Sequence, residues 1–225
     1  MFKPADLFDL SQSEHRAVFE GCPYAWEALN RLAAYIDRTL RPGLRNHCEG
    51  VAYIGERVFI GEGTEVEDGA MIKGPAIIGA NCQVRHNAYI RENVIIGDNC
   101  VIGNSCELKN CLLFNRAVAP HFNYVGDSIL GCGAHLGAGV KISNVKIMPG
   151  NVTVIVDGKP FDTGLRKFGA LVGDGAEIGC NAVLNPGSII GRGSTVYPNM
   201  SWRGVLPESR VAKRKETLEI VAHRV

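Results

Sequence analysis

Aromatic residues are scarce in this chain: Phe, Trp and Tyr make up 7% of its 225 residues. Long apolar runs are missing, and no stretch approaches the ~18 residues that a membrane-spanning helix requires, so no membrane span is expected. Neither sign of charge is in excess, with 24 Lys+Arg against 23 Asp+Glu. That balance argues against a surface that mainly tracks nucleic-acid phosphates, while leaving room for a small basic pocket. None of the eight cysteines (Cys22, Cys48, Cys82, Cys100, Cys106, Cys111, Cys132 and Cys180) forms a CxxC pair, which speaks against a zinc ribbon or a dithiol redox motif. The opening residues, Met1-Phe2-Lys3-Pro4-Ala5-Asp6, contain no apolar signal core. The thiols are therefore expected to be reduced and buried in a cytoplasmic protein.

Glycine is plentiful, at 27 residues, and its placement shows a period. Ile54, Ile60, Val66, Ile72, Ile78, Val84, Ile90, Ile96, Ile102, Leu108 and Phe114 are spaced by six, with glycine following at 55, 61, 79, 97 and 103. Helices repeat near 3.6 and strands near 2, so a sustained beat of six fits neither alone. It fits an all-β solenoid of hexapeptide repeats, in which each beat points one aliphatic side chain inward and small residues turn the corners. One repeat cannot bury its apolar residue by itself; stacked neighbours make the core.

The chain divides into three segments. Residues 1–46 read as helical: Ser11-Gln12-Ser13-Glu14 has the capping-box pattern and predicts a short helix ending near Gly21. Pro23 can open a second helix, with Trp26, Leu29, Leu32, Ala33, Ile36 and Leu40 on one face before Pro42-Gly43. Residues 47–206 carry the coils. The beat slips between Phe114 and Leu130, across Ala119-Pro120-His121-Phe122-Asn123-Tyr124-Val125-Gly126-Asp127, then resumes at Leu130, Leu136 and Ile142. A loop excursion at 146–170 contains Val152-Thr153-Val154-Ile155-Val156 and Asp157-Gly158, a strand and hairpin turn. Val172, Ile178, Leu184, Ile190 and Val196 complete the coils. Residues 207–225 form a tail, basic at Arg210, Lys213, Arg214 and Lys215, then mixed at Glu216 and Glu219.

Arg91 and Lys109 are 18 residues apart, so they stack on one face, one coil apart, and can share an anion. Solvated coil-edge positions would explain them equally well. Arg85, six before Arg91, falls on a neighbouring face and reads as ordinary surface.

The hexapeptide pattern resembles the left-handed parallel β-helix of acyltransferases, a handedness that comes from the resemblance and not from the spacing. Across residues 85–215 the chain is similar to the acetyltransferase domain of the bifunctional glucosamine-1-phosphate acetyltransferase/N-acetylglucosamine-1-phosphate uridylyltransferases. Archaeal-type sugar-phosphate nucleotidylyltransferases share its HFNYVGDS-like run. The carrying segments are Ile102-Gly103-Asn104-Ser105-Cys106-Glu107-Leu108-Lys109, His121 to Asp127, and Gly137-Ala138-Gly139. The resemblance implies a general base at His121 and sugar-phosphate clamps at Arg91 and Lys109. It implies substrate contacts at Tyr124 and Asn144, with Lys167 reaching across a subunit boundary. Ala138 and Cys180 fall along the acetyl-CoA channel, and Arg210 at the CoA phosphates. His135 stands where the family has asparagine near the amine and acetyl groups. The family's nucleotidyltransferase domain has no counterpart in these residues, so a separate nucleotidylyltransferase is a candidate partner.

The activity that the resemblance implies is acetyl transfer from acetyl-CoA to an amino-sugar phosphate, in UDP-N-acetylglucosamine biosynthesis, by a homotrimer with sites between subunits. No metal is needed. A histidine, whose ordinary pKa is about 6.5, suits removal of a proton from an amine near neutrality. A backbone N–H in Gly137-Ala138-Gly139 can stabilise the thioester oxyanion. Two other readings share the fold. A zinc hydratase of the γ-carbonic-anhydrase kind needs three convergent imidazoles; His86 and His121 have a fitting interval, but position 126 is Gly and His135 falls elsewhere on the hexad. A non-catalytic scaffold or regulatory relative would keep the coils and part of the pocket.

Overall fold

The structure is a computed structural model that describes residues 2–215 apart from 46, 49 and 157. Each coil contributes one short strand to each of three parallel sheets, A, B and C. Sheet A runs from Gly43–Leu44 to Val205–Leu206, sheet B from His47–Cys48 to Val211–Ala212, and sheet C from Tyr53–Ile54 to Ser201–Trp202. This is the three-sided hexapeptide coil of the left-handed β-helix that the sequence predicts. The coils extend beyond 47–206 at both ends, because Gly43–Leu44 pairs with Phe59–Ile60 and Val211–Ala212 pairs with Thr195–Val196. The tail positions Glu216 and Glu219, and Asp157 of the hairpin turn, lie outside the described residues.

The beat of six works because one residue per strand points inward. Ile60, Ile72, Ile78, Val84, Ile90, Ile96, Ile102 and Leu108 are all fully buried in one continuous core. Each such side chain contributes about 1.5–3 kcal/mol.

Phe114 is not the next beat. Leu113 pairs with Ile96 and enters the core, while Phe114 points outward and stacks on Phe8 at 5.1 Å. The run from Ala119 to Asp127 is not an interruption either: Ala119 and Val125 continue the core. The shift in phase comes from two corners that are one residue short, at Asn110 and Asp127. Tyr89 pairs with Glu107 at the usual interval of eighteen, whereas Glu107 pairs with Tyr124, and Tyr124 with Lys141, at seventeen. Both short corners adopt positive φ, +46° at Asn110 and +48° at Asp127. The Asn110 side-chain amide donates to Asp127 Oδ1 at 2.9 Å, so the two short corners are tied together.

The excursion leaves after Ile142 and returns at Ala170, carrying a hairpin of Thr153–Val156 and Lys159–Asp162. Together with the N-terminal segment it covers the outside of sheet A. Ile77, Ile95, Leu112, Ile129, Leu171 and Ile189 form an apolar outer stripe there, buried beneath Phe8, Trp26, Leu32, Ile36, Val152 and Phe168. Sheet A thus carries core on both faces, and sheets B and C keep outer surfaces for a site.

The N-terminal segment differs in detail from its sequence reading. Pro4–Leu7 is a short α-helix, α1, and Ala28–Thr39 is the main helix, α2. The expected helix after Ser11 is replaced by two 3₁₀ turns, Leu10–Gln12 and Arg16–Phe19. Asp9 caps the first through the Ser11 N–H, and the Ser13 hydroxyl is spent on the His15 N–H. The capping box is therefore never assembled. The expected apolar face of α2 is present, with Leu29, Leu32, Ile36 and Leu40 buried.

His15 sits between this segment and the coils, its Nδ1 3.2 Å from the Tyr35 hydroxyl. Burial pushes its pKa down, and the charge of Asp98 opposes the shift only in part. The unfolded chain therefore binds the extra proton first, and stability is lost as pH falls through the ordinary histidine value. Urea midpoints measured between pH 7.5 and 5 should drop for the wild type and drop less for His15→Gln; parallel curves would show that His15 does not carry this dependence.

Candidate functional site

The outer face of sheet C and its corner with sheet B hold most of the sequence candidates. Outward positions on sheet C form two columns. The paired registers set one column as Met71, Tyr89, Glu107, Tyr124 and Lys141. The adjoining column holds Lys73, Arg91, Lys109 and Gly126, because Lys73 N–H bonds Ile90, Arg91 N–H bonds Leu108, and Lys109 pairs with Gly126. Successive strands are about 4.8 Å apart, so Arg91 and Lys109 are neighbours, as their spacing predicts.

These cations are partly compensated within the chain. Arg91 Nη1 lies 2.9 Å from Glu107 Oε1, and Lys109 Nζ lies 3.8 Å from Glu92 Oε1. The Arg91 guanidinium also stands 5.9 Å over the Tyr89 ring. Burial disfavours ionised Glu92, but a backbone hydrogen bond and the charges of Arg91, Lys109 and Lys73 prevail and hold its carboxyl below the ordinary value. Arg91 Nε is buried and has no hydrogen-bond partner among the described residues. The sequence reading did not single out Lys73, which no motif marks, although it lies 18 residues before Arg91, the same interval that stacks Lys109.

Gly126 opens space beside Lys109. A Cβ there would lie 2.6 Å from the Tyr124 hydroxyl and 2.7 Å from the Asn144 amide nitrogen. Tyr124 and Asn144 close over this gap. The Asn144 amide nitrogen donates to Tyr124 Oη at 3.3 Å and to Asp127 Oδ2. Asp127 itself is buried, so its carboxylate fixes the amide and leaves Asn144 Oδ1 as an acceptor. Burial raises the Tyr124 pKa, with the Asn144 hydrogen bond opposing, so the phenol stays a donor. Ser105, Glu107, Phe122, Asn123, Tyr124, Lys141, Ser143 and Asn144 line an open groove of about 450 Å³ at this place.

His121 ends the strand Val118–His121, exposed at the B–C corner, opposite Asn104. Its backbone N–H donates to Asn123 Oδ1 at 3.1 Å, and the Asn123 amide donates to the Gly137 carbonyl at 2.8 Å. Asn123 is buried and so braces the His121 backbone against the next coil; the sequence reading assigned Asn123 no role. Gly139 N–H bonds the His121 carbonyl and Asn181 N–H bonds the Ala138 carbonyl, so His121, Ala138 and Cys180 succeed one another up a single corner ladder. Of the three N–H groups in Gly137-Ala138-Gly139, the ladder uses those of Gly137 and Gly139. The Ala138 N–H has no such bond among the described residues, which narrows the candidate oxyanion donor to one group.

Three expected residues stand apart within one chain. His135 lies on the outer face of sheet B between Val118 and Glu177, its Nδ1 2.7 Å from Glu177 Oε2. Arg210 lies at the A–B corner, its N–H bonded to Ser194 Oγ, across sheet B from the ladder. Lys167 is exposed in the excursion, next to Phe168, whose N–H bonds the Asn144 carbonyl; the excursion therefore rejoins the coil beside the groove. His86 is two rungs below His121, with Asn104 between them. No three His, Cys, Asp or Glu side chains converge as a metal site among the described residues. No helix among them is long and apolar enough to cross a membrane. The cysteines are free: Cys82, Cys100, Cys106, Cys111 and Cys132 are buried, while Cys48 and Cys180 are exposed.

The family described as GMPPB C-terminal domain matches residues 72–157. That segment holds Arg91, Lys109, His121, Tyr124, His135, Ala138 and Asn144, whereas Lys167, Cys180 and Arg210 lie beyond it. A bifunctional sugar-1-phosphate nucleotidylyltransferase/acetyltransferase of Sulfurisphaera tokodaii is 35% identical over 91 residues, covering 40% of this chain and 23% of that protein. The bifunctional protein GlmU of Methanococcus maripaludis (strain S2) is 34% identical over 110 residues, covering 48% of this chain and 26% of that protein. The chain therefore spans about a quarter of the length of the curated relatives it matches. Among solved structures, a UDP-N-acetylglucosamine acyltransferase of Francisella novicida aligns over 75% of this chain and 64% of its own, with 13% identity and a TM-score of 0.46. The hexapeptide beat and the three-sided coil are those of a left-handed β-helix, and over 91 and 110 residues the chain is similar to a sugar-1-phosphate nucleotidylyltransferase/acetyltransferase and to the bifunctional protein GlmU.

Proposed function

We propose that the chain is an acetyl-CoA-dependent N-acetyltransferase acting on the amine of an amino-sugar phosphate such as glucosamine-1-phosphate. The observation that carries this reading is the corner ladder, which sets an exposed imidazole, His121, directly below the unengaged N–H of Ala138 and beside a polar groove. Acetyl-CoA supplies the acyl group. His121 takes a proton from the acceptor amine as its nitrogen forms a bond to the acetyl carbon. The Ala138 N–H receives the developing oxyanion, the carbon–sulfur bond breaks, and the thiolate takes up a proton to leave as CoA. Tyr124 and Asn144 orient the sugar; Lys109 and Arg91, with Lys73, draw its phosphate to the adjoining column. Cys180 continues the ladder on the coenzyme side.

His135, Lys167 and Arg210 act, in this reading, from the faces that a neighbouring subunit presents, in a homotrimer. Holding both substrates in one cleft supplies much of the acceleration. A panel of amine acceptors assayed by CoA release tests the proposal. Turnover should appear with an amino-sugar phosphate and be weaker with the corresponding unphosphorylated amino sugar. Silence across the whole panel would instead favour a non-catalytic scaffold.

A further inference from the structure

Most corners of the solenoid carry a residue with positive φ, a conformation that suits glycine and, less well, asparagine or serine. Along the B–C corner these residues are Gly50, Gly69, Asn87, Ser105, Phe122, Gly139, Asn181 and Asn199. Phe122, at φ +53°, is the bulky exception. The A–B corner has an exception of its own, Arg116 at φ +62°. There the side chain has work within the chain: its guanidinium donates to Gln12 Oε1 at 3.2 Å and lies 2.8 Å from Cys132 Sγ.

Among the described residues, the Phe122 side chain has no comparable occupation. The residue is 58% exposed, and its aromatic neighbour is the His121 ring at a centroid distance of 6.4 Å. An aromatic residue thus holds an unfavourable backbone conformation while more than half of it stays exposed. Backbone strain of this kind points to function when the fold does not need the side chain.

The ring's position indicates what it meets. Phe122 rims the groove whose other walls are Ser105, Glu107, Tyr124, Lys141, Ser143 and Asn144. Those walls offer hydroxyls, a carboxylate, an ammonium and an amide, which suit the hydroxyl edge of a carbohydrate. Its axial C–H face is apolar and weakly positive, and complements the negative face of an aromatic ring. We propose that Phe122 is a specificity-determining platform on which the C–H face of the acceptor's sugar ring rests, next to His121. This deepens the amino-sugar reading given above and depends on it for the identity of the acceptor.

The test is Phe122→Asn beside Phe122→Tyr. Asparagine relieves the corner, so its melting temperature should rise by about 2–4 °C. The same variant should raise KM for the amino-sugar phosphate about 5- to 10-fold, leave KM for acetyl-CoA unchanged, and be rescued by tyrosine. A KM unchanged in the asparagine variant overturns the platform. So does dissociation of the oligomer on size-exclusion chromatography with light scattering, since Phe122 would then be an interface residue. If the wild type releases no CoA with any acceptor, the acetyltransferase reading fails separately. Calorimetric titration of glucosamine-1-phosphate then decides: wild-type binding that the asparagine variant loses supports the platform, and equal or absent binding rejects it.

Discussion

Replacing His121 by alanine is expected to lower CoA release with the productive acceptor by about 10²–10⁴-fold, the range that a positioned acid–base side chain contributes. KM for either substrate should change little, because the imidazole is assigned to proton transfer rather than to anchoring. The fold should not respond. His121 is exposed at the end of its strand, and the interactions that hold this corner run through its backbone: the N–H to Asn123, the carbonyl to Gly139, and the register with Asn104. Unchanged urea midpoints with lost turnover would separate a chemical role from a structural one. Full turnover in the variant would remove His121 from the chemistry, leaving only the electrostatic and positioning contributions of the groove.

Most of the fold was legible in the sequence because a solenoid repeats one physical requirement. An inward aliphatic residue every sixth position is needed to bury each coil, and Ile54 to Leu108 satisfy it without exception. Legibility failed first at Phe114, where an aromatic happens to fall on the beat. Its outward placement depends on Phe8, more than a hundred residues away in the chain, with which it stacks. The short corners at Asn110 and Asp127 were hidden for a related reason. A five-residue step leaves apolar residues on both sides and reads as disorder of the pattern, although Ala119 and Val125 keep the core filled. Ser11 to Glu14 had the right residue types for a helix start, yet Asp9 and the Ser13 hydroxyl formed competing local bonds. At the candidate site, Arg91 and Lys109 could be stacked from spacing alone. The roles of His121, Tyr124, Asn144, Ala138 and Cys180 came only from resemblance. The same spacing would have added Lys73, 18 residues before Arg91; Phe122, Asn123 and Asp127 emerged only when the coils were stacked, since their meaning lies in what stands one rung above or below.

Gly103→Ala is expected to be the most destabilising single-methyl change on the outer surface of the coils. Gly103 lies in the strand Val101–Asn104, facing Pro120 on the next rung. A Cβ built on it would stand 1.5 Å from the Pro120 carbonyl oxygen and 2.0 Å from its carbon. Both obstacles are backbone, so neither can rotate aside, and the strands must part. Overpacking typically costs about 1–3 kcal/mol and sometimes more; here the upper end or beyond is expected, read as a lower urea midpoint. Gly133 supplies the control. Its φ is +64°, yet nothing lies within 4 Å of an added Cβ, so alanine there should cost only the left-handed strain, about 1–2 kcal/mol. The Gly103 change should also lower turnover in molecules that remain folded. Asn104 pairs with His121, and the Phe122 N–H bonds the Asn104 carbonyl at 2.9 Å, so parting these strands moves both the proposed base and the proposed sugar platform. Equal midpoints for the two alanine variants would mean that sheet B tolerates the separation. Unequal midpoints with equal turnover would mean that the corner holds its geometry without the strand beneath it, and would shift the positioning of His121 to the Asn123 brace.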